Sequence, residues 1–269
     1  MEYTLIGHPV AKSLSPKIHN AAFVHFSLDH HYTLSDVVMD GLSTKIDDIR
    51  NGKLGGANVT IPHKCSVIDF VDELCPVAKR CGAVNTLYMK NGKLHGSSTD
   101  GKGALRALRE QGIDLQHKKV AMLGTGGAAK SVLAAIVDEN IAGLSIVGRS
   151  SDKIKTLVEL FGGNGVLFGE ENAIVYDADI IINATSVGMY PYADVSPISR
   201  ESIHKDHVVF DLVYKPLETK LLRIARENGA VGVDGLGMLI YQAIYAFELW
   251  TSLTPPVEMI RKELNNAIQ

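Results

Sequence analysis

Short apolar runs separated by stretches of helical spacing recur along the chain, and the period of each run predicts its element. In the N-terminal region Tyr3 to Gly7 and His31 to Leu34 read as strands, with helices from about Pro16 to Leu28 and near Met39 to Arg50. Ser15-Pro16 predicts the first helix start, because Ser suits the N-cap and Pro the first helical position. Ala57 to Ile61 predicts a buried strand whose alternation places Asn58 and Thr60 on one face, Val59 and Ile61 on the other. Val84 to Lys90 and Lys93 to His95 flank Asn91-Gly92, the dipeptide favoured in a two-residue hairpin turn. This region is mixed α/β with at least one antiparallel pair, and Asp100 to Gln111 predicts a helix leading out of it.

From Lys118 onward the pattern changes to strands alternating with helices, which implies a mostly parallel sheet. Val120 to Leu123, Leu144 to Val147, Asp179 to Asn183, Val208 to Leu212 and Ala230 to Val233 are the predicted strands. Asp152 to Phe161 and Thr219 to Asn228 are predicted helices between them, and Gly237 to Trp250 and Pro255 to Ala267 close the chain as helices.

The first strand of this second region ends in Gly124-Thr125-Gly126-Gly127-Ala128-Ala129 and runs into an Ala- and Leu-rich helix. That is the G-x-G-x-x-A dinucleotide fingerprint: Gly124 for the turn, Gly126 for close approach to a pyrophosphate, Ala129 for tight packing of helix on strand. Phosphates would meet free N–H groups at the helix N-terminus. Glycine-rich turns also serve structural roles, so the flanks decide. The strand ending at Val147 arrives where a βαβ unit requires it, but Gly148-Arg149-Ser150, with Lys153 nearby, stands where an NAD site carries Asp or Glu. A missing acid and added cations favour the 2′-phosphate of NADP.

Composition narrows the class. The 269 residues are 46% hydrophobic and 21% charged, values of a soluble globular protein of one large or two ordinary domains. A net charge of −3 offers no footprint for nucleic acid or an anionic membrane. No cationic leader precedes Tyr3, and Gln242 and Glu248 interrupt the best apolar run, so a cytoplasmic protein is expected. Cys65, Cys75 and Cys81 form no C-x-x-C pair and suit reduced thiols; no metal site is expected from them or from the ten histidines.

The N-terminal region carries more polar groups than its strands and turns need. Ser13 and Ser15 lie at a helix start, Asn58 and Thr60 on a strand, Lys64 after a proline-fixed turn, and Asn85 and Asp100 in Gly82-Ala83-Val84-Asn85-Thr86 and Thr99-Asp100-Gly101. Hydroxyls, amides and a cation of this kind form a binding set for a small, hydroxyl-rich anion.

With the fingerprint, these segments resemble the shikimate dehydrogenase family, NADP-dependent oxidoreductases of the shikimate pathway to chorismate and the aromatic amino acids. The resemblance runs through S-x-S-P at Ser13 to Pro16, A-N-V-T-x-P-x-K at Ala57 to Lys64, G-A-V-N-T at Gly82 to Thr86 and T-D-G at Thr99 to Gly101. It continues through I-I-N-A-T-S-x-G-M at Ile181 to Met189 and D-G-L-G-M-L-x-x-Q at Asp234 to Gln242. It implies a Rossmann-type NADP-binding domain over 101–236, and a separate α/β catalytic domain over 1–100 and 237–269, completed by the C-terminal helices. Lys64 and Asp100 become the catalytic pair, which suits an alcohol oxidation that must move a hydroxyl proton as hydride leaves. Ser13, Ser15 and Tyr214 are implied to hold the substrate carboxylate, and Asn58, Thr60, Asn85, Asp100 and Gln242 its ring hydroxyls. The cofactor side comprises Gly124, Thr125, Gly126, Gly127, Ala128, Arg149, Ser150, Lys153, Asn183, Thr185, Ser186, Val213 and Gly235. Shikimate and 3-dehydroshikimate are the implied small-molecule partners, with the chain a monomer or homodimer.

Two segments depart from the family pattern. Ser98 replaces the usual Asn before Thr-Asp-Gly, so the support of Asp100 is expected to differ; Gly148 and Ser150 replace Asn and Thr around Arg149. The rival readings are a quinate/shikimate dehydrogenase using NAD or both cofactors, a methylenetetrahydrofolate dehydrogenase-like enzyme, and a non-catalytic dinucleotide sensor. Retention of Lys64 with Asp100 argues against the sensor.

Overall fold

The structure, a computed structural model, describes residues 1–268, with side chains to Asn265; Gln269, the end of the predicted catalytic domain, lies outside the described residues. The chain divides into two compact units, residues 1–103 with 239 onward, and Ala104–Met238.

The first unit contains β1 (Glu2–Gly7), α1 (Ser15–His25), β2 (His31–Asp36), α2 (Leu42–Arg50), β3 (Leu54–Val59), β4 (Glu73–Leu74), α3 (Pro76–Cys81), β5 (Thr86–Lys90) and β6 (Lys93–Ser97). Helices α4 (Asp100–Glu110), α9 (Leu236–Thr251) and α10 (Val257–Ile268) complete the list, the division between units falling inside α4 and α9. The sheet order is β2-β1-β3-β5-β6-β4, with β1 parallel to both neighbours and β5 antiparallel to β3 and β6. The β5–β6 hairpin turns through Asn91 and Gly92, both at positive φ (53° and 75°), as the dipeptide predicts.

One face of this sheet is covered by α2 through Leu42, Ile46 and Ile49 against Ile6, Val59 and Leu87. The other buries Phe23 of α1 and Phe247 of α9 with Tyr3 and Tyr32, while Trp250 and Met259 pack on the edge of that cluster. Trp250 Nε1 donates to Leu87 O at 3.0 Å, and Gly56 leaves room for it, since a Cβ there would stand 2.6 Å from Nε1. Fully burying each large apolar side chain contributes about 1.5–3 kcal/mol. The aromatic cluster is therefore enough to commit the C-terminal helices to the N-terminal sheet.

The second unit holds β7 (Lys119–Leu123), α5 (Gly127–Ile136), β8 (Gly143–Gly148), α6 (Ser151–Phe161), β9 (Asn164–Leu167), α7 (Asn172–Tyr176), β10 (Ile180–Asn183), β11 (Val208–Asp211), α8 (Lys220–Glu227) and β12 (Val231–Val233). All six strands are parallel in the order β12-β11-β10-β7-β8-β9. Read from β9, this is the 3-2-1-4-5-6 order of the Rossmann fold, with the topological switch point between β7 and β10. The short elements β4, α3, β9 and α7 have too few residues to leave a period in the sequence.

Two expectations are corrected. Ser15 is the first helical residue rather than the N-cap; Leu14 holds that position with no side-chain cap, and the Ser15 amide donates to Ser13 Oγ at 3.2 Å. β3 ends at Val59, so the alternation stops before Thr60, and Ile61 is 61% exposed rather than buried beside Val59. The chain turns there through the cis Ile61–Pro62 bond.

Candidate active site

In the first unit Lys64 Nζ lies 2.5 Å from Asp100 Oδ2, both side chains largely removed from solvent at 15% and 5% exposure. Local bonds aim the lysine. The buried His63 ring reaches Val37 O through Nε2 at 2.6 Å, and Lys64 O accepts the Val84 amide at 2.8 Å. Asp100 opens α4, where the N-terminal end of the helix dipole favours a carboxylate. Its second oxygen, Oδ1, accepts Asn85 Nδ2 at 2.8 Å. Asn85 is held in turn, its Oδ1 accepting the Thr99 amide at 2.8 Å and the Thr86 hydroxyl at 3.0 Å. Support of Asp100 thus comes from Asn85 across the paired ends of β5 and β6, while Ser98 is buried close by in sequence.

Asn58 and Gln242 join the same network. Asn58 Nδ2 donates to Asn85 O at 3.1 Å and Thr86 Oγ1 at 3.2 Å, and its Oδ1 accepts the Tyr32 hydroxyl at 2.8 Å. Gln242 Oε1 lies 3.4 Å from Asn85 Nδ2, and Gln242 Nε2 donates to Leu239 O at 2.8 Å. Ser13 Oγ donates to Ser15 Oγ at 3.1 Å, so the two hydroxyls are paired at the start of α1. Thr60 follows β3, where its amide donates to Ile6 O at 2.9 Å and Gly7 makes room for its methyl group. Tyr214 belongs to the second unit, on the segment after β11.

At the carboxyl end of β7, Gly124 has φ 112°, and a Cβ there would stand 3.1 Å from the Ala184 carbonyl. Gly126 differs: its φ is −83°, and a Cβ would meet nothing within 4 Å. The first glycine is required by the fold, whereas the second opens onto free space at the N-terminus of α5, the geometry a pyrophosphate needs. The residues present therefore fit a dinucleotide. Arg149 and Lys153 are exposed beyond β8, and among the described residues neither has an ion-pair partner. Ser150 caps α6, accepting the Lys153 amide at 3.5 Å. Gly148 is packed against Thr125, whose Cγ2 would lie 2.7 Å from a Cβ, so an Asn at this position has no room without a shift.

The ends of β10 and β11 are tied together. Asn183 Oδ1 accepts the amide and hydroxyl of Thr185 at 3.0 and 2.7 Å, and Asn183 Nδ2 donates to Asp211 Oδ1 at 2.9 Å. Asp211 also accepts the Val213 amide at 3.0 Å and the Thr219 hydroxyl at 2.6 Å. Burial pushes the Asp211 carboxyl up to about 6, against these three donors. Ser186 is exposed on the following segment. Gly235 packs on Leu212, whose carbonyl oxygen would stand 2.4 Å from a Cβ, so its lack of a side chain serves the end of the sheet.

Tyr32, Thr86, Thr99 and Asp211 are hydrogen-bonded to the candidate residues, and the sequence reading missed them. For Tyr32, Thr86 and Thr99, a β-branched or aromatic residue in or near a strand reads as packing, and only tertiary placement shows its hydroxyl turned onto an amide; Asp211 reads as a strand end until its carboxylate is seen to accept from Asn183 and Thr219. No group of three or more His, Cys, Asp or Glu among the described residues is placed to hold a metal ion, and no described helix is long and apolar enough to cross a membrane.

Three family models match the chain: the shikimate dehydrogenase substrate binding domain over residues 5–87, shikimate / quinate 5-dehydrogenase over 106–214, and the shikimate 5'-dehydrogenase C-terminal domain over 235–264. The shikimate dehydrogenase (NADP(+)) of Methanococcus maripaludis is 41% identical over 271 residues, covering 98% of this chain and 96% of its own. A shikimate dehydrogenase crystallised with NADP+ has a TM-score of 0.92 at 37% identity, covering 100% of this chain and 96% of that one. The Thermus thermophilus shikimate 5-dehydrogenase, solved with NADP(H) and shikimate, has a TM-score of 0.91 at 33% identity over 99% of both chains.

Proposed function

The chain belongs to the shikimate dehydrogenase family, and from that premise we propose that it interconverts shikimate and 3-dehydroshikimate with NADP, within the pathway to the aromatic amino acids. The observation that carries this reading is the Lys64–Asp100 pair, held at 2.5 Å and tied to Asn85. Oxidation of a secondary alcohol sends its hydride to the bound nicotinamide, and the hydroxyl proton needs a receiver. Lys64 in its neutral amine form takes that proton on its free lone pair, and the ammonium so formed spends one N–H on Asp100 and has two left for an oxygen of the substrate. In the reductive direction Lys64 returns the proton to the carbonyl oxygen, and Asp100 holds the amine in place and balances its charge.

The remaining groups sort by what they can still donate or accept. Ser13 and Ser15, paired at the start of α1, suit a carboxylate. Gln242 retains one amide hydrogen after Leu239 and joins Thr60 in the hydroxyl-binding set, while Asn85, its amide spent on Asp100, Thr99 and Thr86, aims Asp100 at it. On the cofactor side, Gly124 to Ala128 suit the pyrophosphate and Arg149, Ser150 and Lys153 the 2′-phosphate. Asn183, Thr185, Ser186, Val213 and Gly235 belong to the segments that follow the strands' carboxyl ends, where open α/β sheets take their ligands. The NADP-binding role goes to the second unit and the catalytic role to the first. Three cysteines without a disulfide suit a reducing cytoplasm.

The test is the initial rate of nicotinamide reduction by purified protein with shikimate or quinate, each with NADP+ and with NAD+. Turnover confined to shikimate and NADP+ supports the reading. Equal rates with quinate or NAD+ replace it with a broader dehydrogenase, and no turnover with any pair overturns it.

A further inference from the structure

Five hydrogen bonds, all between side chains, run from Tyr32 to Lys64, and every donor in the chain is set. The Tyr32 hydroxyl donates to Asn58 Oδ1 at 2.8 Å, Asn58 Nδ2 to Thr86 Oγ1 at 3.2 Å, and Thr86 Oγ1 to Asn85 Oδ1 at 3.0 Å. Asn85 Nδ2 then donates to Asp100 Oδ1 at 2.8 Å, and Lys64 Nζ closes on Asp100 Oδ2 at 2.5 Å. Tyr32 is the far donor of this series and is 1% exposed.

Helix α1 fixes Tyr32 from two adjacent residues. Asn20 clamps its backbone, Nδ2 donating to Tyr32 O at 3.0 Å and Oδ1 accepting the Tyr32 amide at 2.7 Å. His19 stacks on the Tyr32 ring, centroids 4.4 Å apart and planes 18° from parallel. The imidazole is fully buried and kept neutral by that burial, so the stack places no cation against the phenol. The helix whose start presents Ser13 and Ser15 thus also aims the Tyr32 hydroxyl.

The consequence lies in what Asn58 has left. Both hydrogens of its amide nitrogen are committed, to Asn85 O and Thr86 Oγ1, and Tyr32 donates to Oδ1, with the His19 ring also against the Asn58 side chain. We infer that Tyr32 is a positioning residue that braces the Asn58 amide and, through Thr86 and Asn85, the polar side chains that the substrate meets. This rests on the function proposed above, since it needs a polyhydroxylated substrate. Removing the phenol oxygen leaves the carbonyl end of Asn58 without this donor, and the amide is then held by Asn85 and Thr86 from its nitrogen end.

A double-mutant cycle tests it, with Tyr32→Phe, Asn58→Ala and the pair assayed for shikimate oxidation and for NADP+ saturation. Phe keeps the ring on His19, so the fold is preserved, and the thermal midpoint is checked alongside. Loss of one buried neutral hydrogen bond predicts that Tyr32→Phe raises KM for shikimate roughly three- to tenfold. KM for NADP+ stays unchanged, and kcat stays within about twofold, because Lys64 and Asp100 keep their own contacts. In the Asn58→Ala background the same change costs less than about twofold, the signature of coupling. Equal losses in both backgrounds, or an unchanged KM for shikimate with active wild type, overturn the positioning role alone. A wild-type protein inactive on shikimate overturns the function and this inference together.

Discussion

Lys64 and Asp100 are 36 positions apart in sequence and 2.5 Å apart in space, with the remaining carboxylate oxygen held by Asn85. The pair leaves the amine oriented and two of its hydrogens unspent. Replacing the amine removes the proton carrier and leaves the rest of the binding groups in place. Lys64→Ala is expected to lower kcat by about 10²- to 10⁴-fold, the usual worth of a positioned acid–base group, with KM for shikimate changed only a few-fold. Steady-state kinetics decide it, and a kcat near wild type removes Lys64 from the chemistry.

The two fingerprint glycines separate folding from binding. A Cβ at Gly124 meets the Ala184 backbone and a positive φ, whereas one at Gly126 meets open space at an ordinary φ. Gly124→Ala should therefore lower stability by about 1–3 kcal/mol through the strained backbone. Gly126→Ala should leave the thermal midpoint unchanged while weakening NADP+ binding about tenfold or more by filling the approach to the pyrophosphate. Calorimetric titration with NADP+ beside thermal unfolding reads both, and a Gly126 variant that binds normally refutes its role in the cradle.

How much of this was legible in the sequence depends on how local each determinant is. The fingerprint lies within one turn and the Asn91-Gly92 hairpin within two residues, so both could be read directly. Lys64 and Asp100 are legible only through the motifs around them, since no periodicity relates positions that meet only when β3, β5 and β6 pair. Tyr32 reads as an ordinary strand aromatic, and its hydroxyl acquires a role only because Asn20 and His19 of α1 aim it. Ile61 misled the strand alternation because the chain turns at the next peptide bond, and Ser15 misled the cap because Leu14 already has helical φ and ψ.

Arg149 carries the choice of cofactor in the proposed site. It is exposed, without an ion-pair partner among the described residues, and no acid stands at the end of β8 to take a ribose 2′-hydroxyl. Arg149→Ala should raise KM for NADP+ roughly tenfold, the scale of one charge-assisted contact, and leave KM for NAD+ within about twofold. Parallel saturation curves for the two cofactors check it. Equal effects on both would place Arg149 on the adenosine instead of the phosphate.

Two buried titratable groups pull stability in opposite directions over the same acid range. Asp211 is raised from 3.8 to about 6, chiefly by desolvation, so its contribution is fully present below about 3.8 and is lost as pH rises through about 6. His19 is lowered from 6.5 to about 3, again chiefly by desolvation, and neither ring nitrogen has a partner in full hydrogen-bond geometry. Its contribution is present above 6.5 and is lost as pH falls toward 3. Each slope is about 1.4 kcal/mol per pH unit where the group titrates, so between roughly pH 4 and 6 they offset one another in the wild type. Single variants uncover them. Relative to wild type, Asp211→Asn should lose stability as pH falls from 6 to 4, and His19→Phe should gain it, each by about 2–3 kcal/mol over that span. Urea unfolding at pH 4, 5 and 6 measures the two differences. Curves that stay parallel to the wild type would show that neither group changes its protonation on folding.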